Sequence, residues 1–245
     1  MNINFIKMHG CGNDFLIIDN RNQAVSLKKN QIIQLASYKQ SIGFDQLLLI
    51  ENSDIADVAI KIFNNDGGEV SACGNGSRCV ARLILEESNK DNVTIATKNR
   101  VLSAQYQDNL IAINMGKAEL VQKDMKFFNL IGSFVEIGNP HIVINTEDLD
   151  SLDILKYGPL IENDSRFPNK VNVNFIEVTN KDSIKLRTWE RGVGTTLACG
   201  SGACASFYCL YSRNLVNNKA VIKQLGGEVI IAIENEDVLM AGAAE

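Results

Sequence analysis

Two short segments of this 245-residue chain carry the same chemistry. Ala72-Cys73-Gly74-Asn75-Gly76 and Ala198-Cys199-Gly200-Ser201-Gly202 lie 126 positions apart, and each sets a thiol beside glycines. Each precedes an apolar helical pattern, so each cysteine falls just before or at the first turn of a helix. Unpaired backbone N–H groups and the positive end of the helix dipole gather there. A thiol in that position has its pKa lowered and can act as a base or nucleophile near neutral pH. Gly74 and Gly200 leave neighbouring N–H groups open to an anion such as a carboxylate. One such segment would read as packing, because cysteine is often a small buried apolar residue. Two at the same phase of a repeat point to a functional pair. Two thiols reaching one small molecule from opposite sides suit a reaction that removes a proton from one face of a carbon and returns one to the other.

The same offset aligns the rest of the chain. Gly12-Asn13 falls on Gly138-Asn139, Gln46 on Asn172, Ile50-Glu51 on Ile176-Glu177, Phe63-Asn64 on Trp189-Glu190, and Gly116 on Gly242. A duplicated chain predicts two similar halves, 1–118 and 119–245, with the crossover at 117–127. Hydrophobic periodicity predicts strands at 2–6 and 15–19, separated by a loop over His9–Asp14. A helix follows at 29–38, then strands at 46–50 and 57–63 and a polar loop to Ser71. A helix after Gly76 buries Cys79, Val80, Leu83, Ile84 and Leu85, and 93–114 holds three short strands. The second half repeats the order, with strands near 134–137 and 141–145 and a helix at 151–162. Strands at 172–178 and 183–189 follow, then a helix at 202–215 and closing strands over 220–241 that turn at Gly226-Gly227.

The repeat also pairs Asn13 with Asn139, Gln46 with Asn172, and Asn64 with Glu190. Amides bind ammonium and carboxylate groups without titrating; the alternative for any single Asn is a turn former. Glu190-Arg191 breaks the symmetry, since its counterpart is Asn64-Asn65. Arg binds carboxylate bidentately and Glu binds ammonium, as the far end of a zwitterionic substrate would require; the alternative is a surface ion pair. Of the two histidines, His141 can set the protonation of a nearby thiol, and His9 sits at a loop entry. Cys79, Cys204 and Cys209 lie inside apolar helical patterns and read as packing. Cys11 lies in the loop and is ambiguous, because its repeat counterpart is Ile137.

Composition narrows the classes. Net charge is −5, with 45% apolar and 22% charged residues, as in ordinary globular proteins. Lys and Arg form no stripe, so neither nucleic acid nor an anionic membrane is an expected partner. No run of 18 apolar residues predicts a membrane span. The N-terminus lacks the pattern of a secretory signal, so a cytoplasmic location is expected and the six cysteines should stay reduced.

The ordered set Lys7-Met8-His9-Gly10-Cys11-Gly12-Asn13-Asp14-Phe15, Gly43-Phe44-Asp45-Gln46-Leu47-Leu48 and Phe63-Asn64-Asn65-Asp66-Gly67 resembles the diaminopimelate epimerase family. So do Ala72–Cys79, Gly138-Asn139-Pro140-His141, Val171-Asn172, Glu190-Arg191-Gly192-Val193-Gly194 and Ala198–Ala205. The resemblance spans nearly the whole chain. It implies an α/β (α+β) fold of two pseudo-symmetric domains, each a mixed, barrel-like β-shell around a central helix, with the active site in the cleft between them. It implies an isomerase that interconverts LL- and meso-diaminopimelate without cofactor or metal, for lysine and peptidoglycan synthesis, and a homodimer. It implies Cys73 and Cys199 as the acid/base pair, assisted by His141 and Glu190. The substrate-binding set it implies is Asn13, Gln46, Asn64, Gly74, Asn75, Asn139, Asn172, Glu190, Arg191, Gly200 and Ser201. Three departures stand out. Cys11 replaces a usual Leu or Ala, Thr195 replaces a frequent Glu, and Ala243-Ala244-Glu245 ends the chain where relatives usually continue into a short aromatic-containing strand.

On this reading a thiolate takes the α-proton and a thiol protonates the carbanion from the other face. No pyridoxal-lysine motif is evident, so help must come from N–H groups holding the carboxylate as charge develops. Two competing readings are a two-thiol racemase of proline or hydroxyproline and a non-catalytic metal or redox thiol protein. Glu190-Arg191 argues against the first. Against the second, Cys73 to Cys79 and Cys199 to Cys204 exceed the usual zinc spacing of two to four residues.

Overall fold

Runs such as Leu47-Leu48-Leu49-Ile50 and Ile142-Val143-Ile144 carry no polar residue, as in strands covered on both faces. The computed structural model, which describes residues 3–23, 25–71 and 73–245, shows what covers them. The chain divides into two compact units, Met1–Ile113 with Gly242–Glu245, and Asn114–Ala241.

The first unit runs β1 (Ile6–Gly10), β2 (Asn13–Asp19), α1 (Lys29–Ala36), β3 (Gln46–Glu51), β4 (Val58–Asn64), β5 (Glu69–Val70), α2 (Gly74–Ser88), β6 (Asn92–Ala96), β7 (Val101–Gln107) and β8 (Leu110–Asn114). The second runs β9 (Glu119–Phe127), β10 (Leu130–Glu136), β11 (Pro140–Asn145), α3 (Ile154–Glu162), β12 (Asn172–Asn180), β13 (Ser183–Glu190), β14 (Gly194–Thr196), α4 (Gly200–Tyr211), β15 (Lys219–Gln224), β16 (Gly227–Glu234) and β17 (Asp237–Gly242). The 126-residue offset carries β1–β8, α1 and α2 onto β10–β17, α3 and α4, each within a few residues. Pairing is mixed and matched in the two halves. β2–β3 and β11–β12 are parallel, as are β4–β6 and β13–β15, while β3–β4 and β12–β13 are antiparallel.

Alternation along the strands sends side chains to two covers. Leu16, Ile18, Leu47 and Leu49 pack with Ile32 and Ala36 of α1 on the outer face. Phe15 and Leu48 face inward against Gly76 of α2. In the second unit Ile142, Ile144, Val173 and Phe175 pack with Ile161 of α3. Inside each shell runs the central helix. α2 contacts β1, β2, β3, β6 and β7, while α4 contacts β9–β13, β15 and β16. Their side chains Cys79, Val80, Ile84, Cys204, Phe207 and Cys209 are buried, as helical spacing predicts. Each unit is thus the expected barrel-like shell around a helix.

Several local expectations shift. The first strand is Ile6–Gly10 rather than 2–6, with Asn2 outside the described residues along with Ala72. The expected loop over His9–Asp14 is a hairpin, with Gly10 opposite Asn13. Its two turn residues, Cys11 and Gly12, both take positive φ (53° and 73°), the geometry that suits the twist of a two-residue hairpin. The expected crossover is strand β9, paired with β10. Its Met125 and Phe127 are buried while its charged residues face solvent, a pattern too interrupted to read as a strand from sequence. Among the described residues β9 has no counterpart in the first unit, where Glu245 exchanges two backbone hydrogen bonds with His9. His9 is the repeat equivalent of Val135, which pairs with Leu120 of β9. The buried guanidinium of Arg78 and that of Arg82 hold this terminal stretch through the carbonyls of Ala243 and Ala244. Helices α2 and α4 begin at Gly74 and Gly200, about two residues earlier than expected, because the cysteine side chains cap them. Among the described residues no helix is long and apolar enough to cross a membrane.

Helix α3 lies against Trp189 with no room to spare. A Cβ added at Gly158 would meet the indole at 2.5 Å. Gly158→Ala should therefore destabilise the second unit by about 1–3 kcal/mol through overpacking. Trp189 is the only tryptophan, so its fluorescence reports this unit. The expected result is a lower urea midpoint, and an unchanged midpoint would show that the ring can move aside.

Candidate active site

Each half of the site is built on a helix start. Cys73 is the N-cap of α2, extended at φ −150°, and the Gly76 N–H points at its sulfur at 3.4 Å. Asn13, at the exit of the β1–β2 hairpin, brings its amide nitrogen to 3.9 Å from the same sulfur. Gln46 and Asn64 sit opposite each other on β3 and β4, and the Gln46 amide donates to Asn64 Oδ1 at 2.9 Å. The other amide atom, Gln46 Oε1, is buried with no hydrogen-bond partner among the described residues. Asn75 is buried in the first turn of α2 beside Gly74. Cys73 is half-buried, whereas burial pushes the Cys79 thiol behind it up to about 12. Cys11 is buried, and the Arg78 guanidinium donates to its sulfur at 3.4 Å.

The second unit repeats the cap with more around it. Cys199 caps α4, with the Gly202 N–H 3.4 Å from its sulfur and the Ser201 hydroxyl at 3.6 Å. Its own N–H donates to Gln224 Oε1 at 2.7 Å. The Glu190 carboxylate, half-buried and accepting from the Thr196 hydroxyl at 2.6 Å, acts on the same thiol through its charge. His141, fully buried, places Nε2 at 3.1 Å from both Asn139 Oδ1 and Ser201 Oγ. Its Nδ1 meets the amide of Asn174 at 3.0 Å. Burial, with the positive charge of Arg191, pushes the imidazole down to about 3, so it is neutral at physiological pH. His141 therefore reaches Cys199 through Ser201.

The expected residues thus fall into two clusters. Asn13, Gln46, Asn64, Gly74 and Asn75 lie in the unit that holds Cys73. Asn139, His141, Asn172, Glu190, Arg191, Gly200 and Ser201 lie in the unit that holds Cys199. Asn172 spends its amide on backbone, accepting from the Arg191 N–H and donating to the Pro140 carbonyl, both at 3.0 Å. It fastens the Asn139 and Arg191 loops together. Glu190-Arg191 is no surface ion pair. The carboxylate turns toward Cys199, while the guanidinium is exposed and bonds the Asn169 carbonyl. The turn that presents them is held by Glu162, a buried carboxylate that accepts from Trp189 Nε1 and the Gly192 N–H. Glu162, Thr196 and Gln224 were not singled out from sequence. Polar residues at helix ends and strand ends are too common to mark them. Thr195 is exposed opposite Trp189 on β14. Among the described residues no group of three or more His, Cys, Asp or Glu side chains is arranged to hold a metal.

Known proteins match this arrangement along its whole length. The diaminopimelate epimerase family model matches residues 5–121 and 133–245. The diaminopimelate epimerase of Chromobacterium violaceum is 39% identical, covering 100% of this chain and 96% of that protein. That of Zymomonas mobilis is 36% identical over 100% and 95%. The chain belongs to the diaminopimelate epimerase family. Like its relatives it is an isomerase acting on a small molecule. Solved structures share the fold at low identity. A phenazine biosynthesis protein of the PhzF family from Bacillus anthracis superposes with TM-score 0.71 at 18% identity, covering 100% and 97% of the two chains. A hydroxyproline epimerase from Agrobacterium vitis superposes with TM-score 0.71 at 14%, covering 98% and 89%.

One electrostatic expectation is reversed in this epimerase fold. A helix start should lower a thiol pKa, but that of Cys199 is raised. Burial is the largest cause and the Glu190 carboxylate adds to it, outweighing the Ser201 and Gly202 donors. Cys199 therefore rests as a thiol. Glu190, itself pushed up by burial, is placed to accept its proton. Glu190→Gln removes the negative charge and should lower the Cys199 pKa. Iodoacetamide alkylation of Cys199 at neutral pH, followed by peptide mass spectrometry, should then quicken relative to wild type. Slower or equal labelling would show that the carboxylate does not oppose the thiolate.

Proposed function

We propose that this chain interconverts LL- and meso-diaminopimelate by two-base proton transfer between Cys73 and Cys199. The observation that carries the reading is the paired cap, in which each sulfur receives an N–H from a helix start with a glycine beside it. Its family membership supports the substrate. In the active form Cys199 holds a proton and Cys73 is the thiolate. Cys73 takes the α-proton from one face, and the Cys199 thiol gives its proton to the other. The total number of protons on the pair is unchanged, so the reverse reaction starts from the state the forward one leaves. The first-turn N–H groups at Gly74, Asn75, Gly200 and Ser201 hold the substrate carboxylate while negative charge spreads onto it. Between turnovers in one direction, Glu190 passes a solvent proton to the Cys199 thiolate while Cys73 releases to solvent the one it took. Arg191, exposed and beside Asn169, binds the carboxylate at the far end of the substrate. Asn13, Gln46, Asn64 and Asn139 complete the polar lining, and the orphaned Gln46 Oε1 is an acceptor for a substrate ammonium.

Family resemblance further supports a homodimer in the cytoplasm that feeds lysine and peptidoglycan synthesis. Proline and hydroxyproline lack the second zwitterionic end that Arg191 is suited to meet.

Reduced protein incubated with LL-diaminopimelate in D₂O should gain α-deuterium and yield the meso isomer together. Cys73→Ser and Cys199→Ser should each lose at least about 100-fold in kcat, the scale of a general acid or base, while still binding substrate. Wild-type-like turnover by either variant would remove the two-base reading.

A further inference from the structure

The internal repeat exposes a contrast beneath the two helix starts. His141, Asn174 and Thr188 stand where the first unit has Phe15, Leu48 and Ile62. In the first unit this layer is apolar, and a Cβ on Gly76 would meet Leu48 at 3.0 Å and Phe15 at 3.2 Å. In the second, a Cβ on Gly202 would meet Asn174 Oδ1 at 2.3 Å. His141, Asn174 and Thr188 are all buried. The first unit shows that the fold tolerates an apolar layer here, and burying polar groups costs free energy unless every one is bonded. The shell does not need these groups for packing.

Their bonds run in one direction. The Ile142 carbonyl, 3.3 Å from Asn174 Nδ2, can only accept. The Thr188 hydroxyl donates to Asn174 Oδ1 at 3.2 Å. These two contacts set which way the amide faces. The second hydrogen on Nδ2 then meets His141 Nδ1, so Nδ1 accepts and carries no proton. A neutral imidazole so bonded carries its hydrogen on Nε2, toward Asn139 Oδ1 and Ser201 Oγ. Ser201 Oγ also accepts from Asn139 Nδ2 at 3.3 Å. With acceptor sites so engaged, the serine hydroxyl has Cys199 Sγ as the target for its own hydrogen.

We propose that Asn174 is a positioning residue that holds His141 as the Nε2–H tautomer, so that Ser201 donates its hydroxyl hydrogen to Cys199 as the thiolate forms. Phe15 and Leu48, at the matching positions of the first unit, cannot form this chain of hydrogen bonds. Its effect on turnover rests on the two-thiol reading above; the tautomer and the thiol chemistry do not.

The test uses ¹⁵N-histidine-labelled protein and a two-bond ¹H–¹⁵N correlation spectrum at neutral pH. There are only two histidines, and His9→Gln assigns the signals. His141 should show the Nε2–H pattern. Asn174→Asp replaces the donor with an acceptor and should switch it to Nδ1–H. Asn174→Leu, the residue of the first unit, removes the donor without adding charge. Both variants should slow iodoacetamide alkylation of Cys199 several-fold and leave Cys73 unchanged. In the epimerase assay kcat should fall roughly 10- to 100-fold, with KM within about threefold, as for weakened acid–base assistance. A wild-type His141 that is Nδ1–H or charged overturns the proposal without any variant needing to fold. So does an Asn174→Leu protein that alkylates at Cys199 at the wild-type rate. A wild type with the expected tautomer and the expected alkylation contrast, but no turnover of diaminopimelate, supports the positioning role and removes the substrate reading alone.

Discussion

A helix that starts inside a β-shell leaves its first N–H groups without intrahelical partners, and a buried start needs acceptors from within. In both units of this protein a cysteine sulfur is one of them, receiving the N–H three residues on. Much of the local design follows from this contact. The position three beyond the cysteine must be glycine, because α2 and α4 press on the shell there against Leu48 and Phe15 or against Asn174. The cysteine stays extended, with its sulfur at the mouth of the helix. The same geometry that satisfies the backbone therefore presents a thiol and a set of outward N–H groups at one point. Structural and chemical demands coincide, which explains why the arrangement survives in both copies of the repeat.

The two copies are not electrostatically equal. Cys73 is half-buried and stands beside the neutral amide of Asn13. Cys199 is buried against a carboxylate and two donors, and the balance keeps it protonated. A reaction that moves a proton across a carbon needs one partner to hold a proton while the other lacks it. Duplication alone would make two equal thiols. Burial raises the Cys199 pKa, and Glu190, in place of Asn64, adds to it; His141 and Asn174, in place of Phe15 and Leu48, act in the opposite sense by keeping the Ser201 donor on the sulfur. Glu162, through Trp189 and Gly192, then holds the turn on which Glu190 and Arg191 ride.

Much of this was legible in the sequence because the repeat acts as an internal alignment. Cys73 and Cys199 at matched phases marked the two helix starts, and helical spacing placed Cys79, Cys204 and Cys209 inside. The apolar runs at Leu47–Ile50 and Ile142–Ile144 gave strands covered on both faces. Less legible were features whose pattern is weak or shared. Cys11-Gly12 looked like part of a loop because positive φ is invisible in residue type for cysteine. The β9 strand was hidden by its solvent-facing charges. Asn174 and Thr188 did carry a signal, since each is a polar residue opposite an apolar one in the repeat. That signal is weak, because a polar–apolar difference between copies is also what ordinary divergence produces.

The sequence by itself determined the family, the duplicated α/β plan and the pair of thiols, because these rest on residue type, spacing and period. Only the tertiary structure decided which groups surround each sulfur. It turned Glu190 inward and left Arg191 exposed, gave Asn172 to the backbone, and linked His141 to Cys199 through Ser201. It also reversed the expected shift at Cys199. Helix position is local and can be read along the chain, but burial and the approach of a carboxylate come from strands far away in sequence, and at Cys199 those distant contributions outweigh the local one.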